Sequence, residues 1–203
     1  MFIGKWNKSV ILTYLGMAVA VAGIFLSFTG IDVKYAFVCL MVAGICDLFD
    51  GAVARKCKRT EEEKAFGVEL DSLADTVSFV VFPIVLFLGM GLTHYWHIPI
   101  YILFAIAGVA RLGYFNIITA DKNNPVKHYT GLPVTFSALI FPLLYLLKPV
   151  MHKTAFMIFY SVMIGIVAIC QILKIKIPKP KGIAYAIFAI LAIVMLVVFI
   201  VFL

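Results

Sequence analysis

The chain has 203 residues, 64% of them hydrophobic and only 13% charged, with a mean hydropathy of +1.10. That composition excludes an ordinary water-soluble domain. The formal net charge of +7 is not a nucleic-acid signal here, because membrane topology and attraction to anionic headgroups account for it.

Apolar segments of about 20 residues recur, each long enough to cross a hydrocarbon core of ~30 Å. They predict spans over 9–29, 34–54, 68–92, 98–118, 131–150, 154–173 and 183–203, joined by short connectors. The expected fold is an all-α integral membrane bundle, with six core transmembrane helices and a seventh at the C-terminal end. It forms a single domain over 1–203, with its core over about 9–180. The first apolar run lacks a small-residue cleavage site and is followed by further spans, so it reads as a span rather than a leader. With the N-terminus cytoplasmic, every Lys and Arg except Lys34, Lys148 and Lys153 falls on the cytoplasmic side. The positive-inside rule then puts the N-terminus in and, after seven spans, the C-terminus out.

Trp6 beside Lys5 and Lys8 suits a short interfacial segment ahead of the first span. Within that span Thr13 has two readings: a hydroxyl bonded to the backbone one turn back, or a ligand contact. Span two closes on Asp47, Asp50, Gly51, Ala54 and Arg55, and a charged run leads to Gly67, Asp71 and Asp75 opening span three. The outer connector Thr93-His94-Tyr95-Trp96-His97 reads as an aromatic belt rather than a metal site, lacking a third ligand. Span four ends with Arg111 and Asn116. Arg111 reads as snorkelling to the cytoplasmic surface, while Asn116 can equally face the bundle interior. A polar loop holds Asp121, Lys122 and Lys127, and Gly131-Leu132-Pro133 gives a tight turn into span five. The basic linker from Lys174 to Lys181 reads as a topology anchor, and the last span as a lipid-facing one. Cys39, Cys46, Cys57 and Cys170 lack metal-ligand spacing and read as packing residues.

The aspartates carry the chemistry. Asp47 and Asp50 are three apart and Asp71 and Asp75 four apart, so each pair shares one helix face. Carboxylates at membrane depth cost ~2.5–3.5 kcal/mol each and repel one another. One or two divalent cations remove both penalties. Ligation by oxygen alone favours Mg²⁺, Mn²⁺ or Ca²⁺ over zinc. Helix caps and salt bridges to Lys56, Lys58 or Arg59 explain one aspartate better than four. Arg55 offers a planar fork for phosphate. Gly51, Ala54 and Gly67 let helices, or the phosphates of a ligand, come close. Together these residues suggest a lipid-linked diphosphate ligand.

The pattern Asp47-x-x-Asp50-Gly51-x-x-Ala54-Arg55, then Gly67-x-x-x-Asp71-x-x-x-Asp75, resembles the signature of the CDP-alcohol phosphotransferases. The connector from Arg55 to Gly67 is longer than in the common form of that signature, and the added residues fall in the charged run. Within the family, Phe66-Gly67, Leu70-Asp71-Ser72, Ser78-Phe79, Arg111-Leu112, Phe115-Asn116 and Thr130-Gly131-Leu132-Pro133 are similar to the bacterial and archaeal phosphatidylserine synthases. Val80 and Val10 depart from that branch, where a glycine and an asparagine are usual.

The resemblance implies an enzyme that moves a phosphatidyl group from CDP-diacylglycerol to L-serine, releasing CMP. It implies one or two Mg²⁺ or Mn²⁺ ions on Asp47, Asp50, Asp71 and Asp75, with Asp75 also the general base. Thr13, Gly51, Ala54, Arg55 and Gly67 would bind the CDP-lipid. Arg111, supported by Asn116, would receive the serine carboxylate. It further implies a homodimer in a prokaryotic cytoplasmic membrane, with the site on the cytoplasmic face. A sister transferase acting on glycerol 3-phosphate or inositol phosphate is the main alternative. The apolar outer halves of the spans speak against a divalent-cation transporter, and a non-catalytic scaffold would not need Gly51, Arg55 and Gly67 in register with the aspartates.

Overall fold

The computed structural model describes residues 3–120, 128–178 and 183–201. Among the described residues seven helices follow one another: α1 (Ile11–Leu26), α2 (Val33–Lys56), α3 (Glu61–Gly89), α4 (His97–Ala120), α5 (Val134–Tyr145), α6 (Lys153–Ile172) and α7 (Ile183–Val201). Of these α2, α3, α4 and α6 are each long and apolar enough to cross a membrane, while α1, α5 and the described part of α7 are shorter apolar helices. The chain is a polytopic helical membrane protein. The expected loop through Asp121, Lys122 and Lys127, and Lys179 and Lys181 of the basic linker, lie outside the described residues.

Helix α3 starts well before the expected span. The charged run from Glu61 onward is its first turn rather than a loop, because Thr60 and Glu63 close a capping box and Glu61, Glu62 and Glu63 sit at the positive helix end. Lys64 pairs with Glu61 at 2.7 Å. The connector between α2 and α3 is therefore only Cys57 to Thr60. Directly after Asp75 the helix widens into a π-helical stretch, Thr76–Val81. Pro83 follows almost at once, and a proline inside a helix forfeits one backbone bond and crowds the preceding turn. A widened turn just ahead of it is a common accommodation.

Helix α1 reaches α2 through a small-residue face of Gly16, Ala20 and Gly23, all buried. A Cβ on Gly16 would stand 3.0 Å from the Cβ of Cys46. Without a hydrophobic driving force inside lipid, such close backbone packing supplies the association. It sets Thr13, one turn earlier, beside the end of α2.

The bundle centre is aromatic. Phe87, Phe104, Phe141 and Tyr160 are fully buried, with Phe87 edge-on to Phe141 at 4.7 Å. The Tyr160 hydroxyl donates to the Phe141 carbonyl at 2.8 Å, which satisfies it inside the core. His97 is buried against the His94 carbonyl and the Ser161 hydroxyl, in keeping with a structural reading of the outer histidines. The last helix does not face lipid on all sides. Met195 and Phe199 are buried, and Phe199 lies 5.6 Å from Phe37 and 6.0 Å from Tyr145.

A short ribbon departs from the all-helical expectation. Strand β1 (His128–Thr130) pairs antiparallel with β2 (Lys176–Pro178), Tyr129 opposite Ile177. Gly131 then turns with φ +75° against the Gln171 carbonyl, and its N–H donates to the Ile175 carbonyl at 2.9 Å. The two connectors are thus stitched together beneath the site.

Candidate functional site

Helices α2 and α3 meet at the ends where their aspartates lie. Asp47, Asp71 and Asp75 each offer a carboxylate oxygen, and these atoms lie within 4.8 Å of one another. Asp75 and Asp50 are buried, Asp47 and Asp71 half-buried. The carboxyls face each other in two pairs at hydrogen-bond reach, Asp47 with Asp75 and Asp50 with Asp71. Asp50 stands slightly apart from the group of three. Its Oδ2 accepts from the Thr13 hydroxyl at 2.8 Å, a bond across to α2 in place of the backbone bond one turn back.

Like charges this close repel unless something cationic lies between them. A compact set of carboxylate oxygens, with no His or Cys among the ligands, fits a hard divalent cation. Asp47, Asp71 and Asp75 would hold it, with Asp50 adjoining.

Two cavities flank the aspartates. One, of about 250 Å³, is lined by Asp47, Asp75 and Arg111 together with apolar groups that include Phe115, Phe136, Leu139 and Ala192. The other, of about 200 Å³, is lined by Thr13, Ala54, Gly67 and Arg59. Asp50, Gly51, Arg55 and Asp71 line both. The five residues expected at a CDP-lipid therefore gather around the second cavity. Gly51 lies beside Arg55, and a Cβ there would stand 3.4 Å from its Nη1, an ordinary contact with the end of a flexible side chain.

Arg111 does not snorkel away. It is 7% exposed, with its guanidinium 5.0 Å from the Phe115 ring centre and its charge acting on Asp47 and Asp75. Asn116 is placed differently: its Nδ2 donates to the Ser72 hydroxyl at 2.8 Å and its Oδ1 accepts from that hydroxyl at 3.1 Å. It is not among the residues lining the first cavity. Ser72, Arg59 and Ala192 are among the contributors that had no expected part in ligand binding. Ser72 had a visible signal, its place directly after Asp71. Arg59 and Ala192 had none, because a lengthened connector and an apolar last helix offer no pattern to read.

These observations define a polytopic membrane protein with an oxygen-only acidic centre and an arginine-lined cavity at one end of its bundle. The family model for CDP-alcohol phosphatidyltransferase matches residues 6–203, and the chain belongs to that family. Among its relatives is an archaetidylserine synthase of Methanothermobacter thermautotrophicus, 32% identical over 137 residues, covering 67% of this chain and 56% of the relative. A CDP-diacylglycerol–serine O-phosphatidyltransferase of Saccharomyces cerevisiae is 35% identical over 115 residues, covering 53% of this chain and 41% of the relative. One of the same name from Helicobacter pylori is 34% identical over 124 residues, covering 59% and 50%. The chain thus spans about half the length of the curated relatives it matches.

Proposed function

We propose that this protein transfers a phosphatidyl group from CDP-diacylglycerol to the hydroxyl of L-serine, giving phosphatidylserine and CMP. One observation carries the reading: the two cavities adjoin at Asp50, Gly51, Arg55 and Asp71, next to the convergent carboxylates. A diphosphate at that junction would have its nucleotide in one cavity and its lipid-side phosphorus in the other. The relatives add the acceptor, since serine figures in the names of both the archaeal-lipid and the diacylglycerol enzymes.

In this reading Thr13, Gly51, Ala54, Arg55 and Gly67 hold the CDP moiety. Arg111 receives the serine carboxylate, and Asn116 braces the floor of the site through Ser72. Asp75, buried beside Asp47, removes the proton from the serine hydroxyl as its oxygen bonds to phosphorus. The phosphorus–oxygen bond to CMP breaks, and Arg55 stabilises the charge that CMP carries away. A bound Mg²⁺ or Mn²⁺ supplies Lewis-acid neutralisation of the diphosphate. The apolar lining of the larger cavity suits acyl chains running out between helices.

The wider reading is a single domain of six core spans with α7 as a seventh, a cytoplasmic N-terminus and site, a prokaryotic cytoplasmic membrane and a homodimer. Purified protein given CDP-diacylglycerol, Mg²⁺ or Mn²⁺ and one acceptor at a time provides the test. CMP release with L-serine, and not with glycerol 3-phosphate or inositol phosphate, is the expected result. Release with another acceptor keeps the family and replaces the substrate.

A further inference from the structure

We propose that Arg59 is a second phosphate-binding arginine of the nucleotide cavity, standing across from Arg55. The assignment rests on the donor reading above. It starts from the connector, whose backbone is fixed at both ends. Helix α2 stops at Lys56, Cys57 is extended, and Thr60 is locked as the cap of α3. Arg59 directly precedes that cap, at the mouth of the smaller cavity.

A surface arginine in a charged connector ordinarily points to water. Arg59 turns inward instead. Its Nε is buried and finds no hydrogen-bond partner among the described residues. The guanidinium lies over Gly67, with Nη1 3.6 Å from where a Cβ would stand. Arg55 lies over Gly51 in the same manner at 3.4 Å. Two guanidiniums, each bedded on a glycine, thus line one cavity of about 200 Å³.

The neighbouring acids do not explain this posture. Glu61 pairs with Lys64, Glu62 with Lys5 at 2.9 Å, and Glu63 closes the capping box with Thr60. Among the described residues Arg59 forms no ion pair. The buried Nε holds the side chain in this inward posture at a cost, and the half-buried guanidinium lines the cavity, where an anionic ligand would meet it. The planar fork matches phosphate, and the surrounding Thr13, Gly51 and Ala54 leave room for the oxygens to approach. The longer connector thereby acquires a function, supplying a cation that the signature residues themselves do not provide.

Titrations of cytidine, CMP and CDP into the purified protein in Mg²⁺ test the assignment. Wild type is compared with Arg59→Ala, Arg59→Lys and Arg59→Gln, each first checked for unchanged helicity and elution. The expected result is a roughly 10- to 100-fold weaker CMP and CDP affinity in Arg59→Ala and Arg59→Gln. Cytidine binding should be unchanged, and Arg59→Lys should recover part of the loss. Equal CMP affinity in wild type and Arg59→Ala overturns the assignment alone. So does a loss as large for cytidine as for CMP, which would place the guanidinium on the base. A wild type that binds none of the three overturns the donor reading and this assignment with it.

Discussion

The Thr13 hydroxyl of α1 donates to Oδ2 of Asp50 on α2 at 2.8 Å, and this bond ties the first helix to the acidic centre. It exists because Gly16, Ala20 and Gly23 let α1 lie close along α2. Thr13→Val keeps the shape and removes the donor. A hydrogen bond to a carboxylate contributes about 1.5–3 kcal/mol, so CMP release at limiting CDP-lipid should fall roughly tenfold or more. Thr13→Ser should retain most of the rate. Steady-state kinetics on the two variants decide it, and an unaltered Thr13→Val would leave the bond without consequence for the donor.

Removing divalent cations should stop the reaction and loosen the fold together. Asp47, Asp71 and Asp75 bring oxygens within 4.8 Å of one another, an arrangement that repels without a cation. EDTA should abolish CMP release and lower the melting temperature in detergent. Mg²⁺ or Mn²⁺ should restore both, because a ligand bound only by the folded state stabilises it. Recovery with Zn²⁺ alone would contradict the oxygen-only reasoning.

Asp75→Asn tests the proton acceptor. The amide keeps the size and cannot take a proton, and general-base catalysis contributes roughly 10²–10⁴-fold. CMP release should drop within that range or below it, while the variant still binds CDP measurably through Arg55 and the smaller cavity. A variant that loses CDP binding to the same degree would assign Asp75 to holding the donor.

The acidic centre was legible in the sequence because helical spacing alone puts Asp47 with Asp50, and Asp71 with Asp75, on shared faces. The polytopic helical membrane character was legible for the same kind of reason, since apolar length is a local property. The inward turn of Arg59 and the bond from Asn116 to Ser72 were not, because each depends on how two separated segments meet in space. The start of α3 was misplaced for a local reason. Its first turn is charged, so hydropathy reads it as loop, while the Thr60–Glu63 capping box marks it as helix. The π-helical stretch after Asp75 and the β1–β2 ribbon leave no periodic signal at all.

The Asn116–Ser72 pair predicts coupling rather than acceptor recognition. Both polar atoms of the Asn116 amide are directed at the Ser72 hydroxyl, one residue from Asp71. Asn116→Ala and Ser72→Ala should each lower kcat with little change in the KM for serine. The double variant should be no worse than either alone, as expected for residues acting as a unit. Arg111→Ala, by contrast, should raise the serine KM. A serine KM that rises in Asn116→Ala but not in Ser72→Ala would put the amide on the substrate.

Gly131 and Gly113 form an internal control for the ribbon beneath the site. Gly131 has φ +75°, and a Cβ there would run into the Gln171 backbone carbonyl, which has no rotamer by which to move away. The conformation alone costs a residue other than glycine about 1–3 kcal/mol. Gly113 lies within α4, and a Cβ there meets nothing within 4 Å. Alanine in a helix interior is favoured over glycine by about 0.5–1 kcal/mol. Gly131→Ala should therefore lower the melting temperature in detergent, and Gly113→Ala should leave it level or raise it. Equal melting of Gly131→Ala and wild type would mean that the turn into α5, which leads to Pro133 and Phe136 at the larger cavity, relaxes freely.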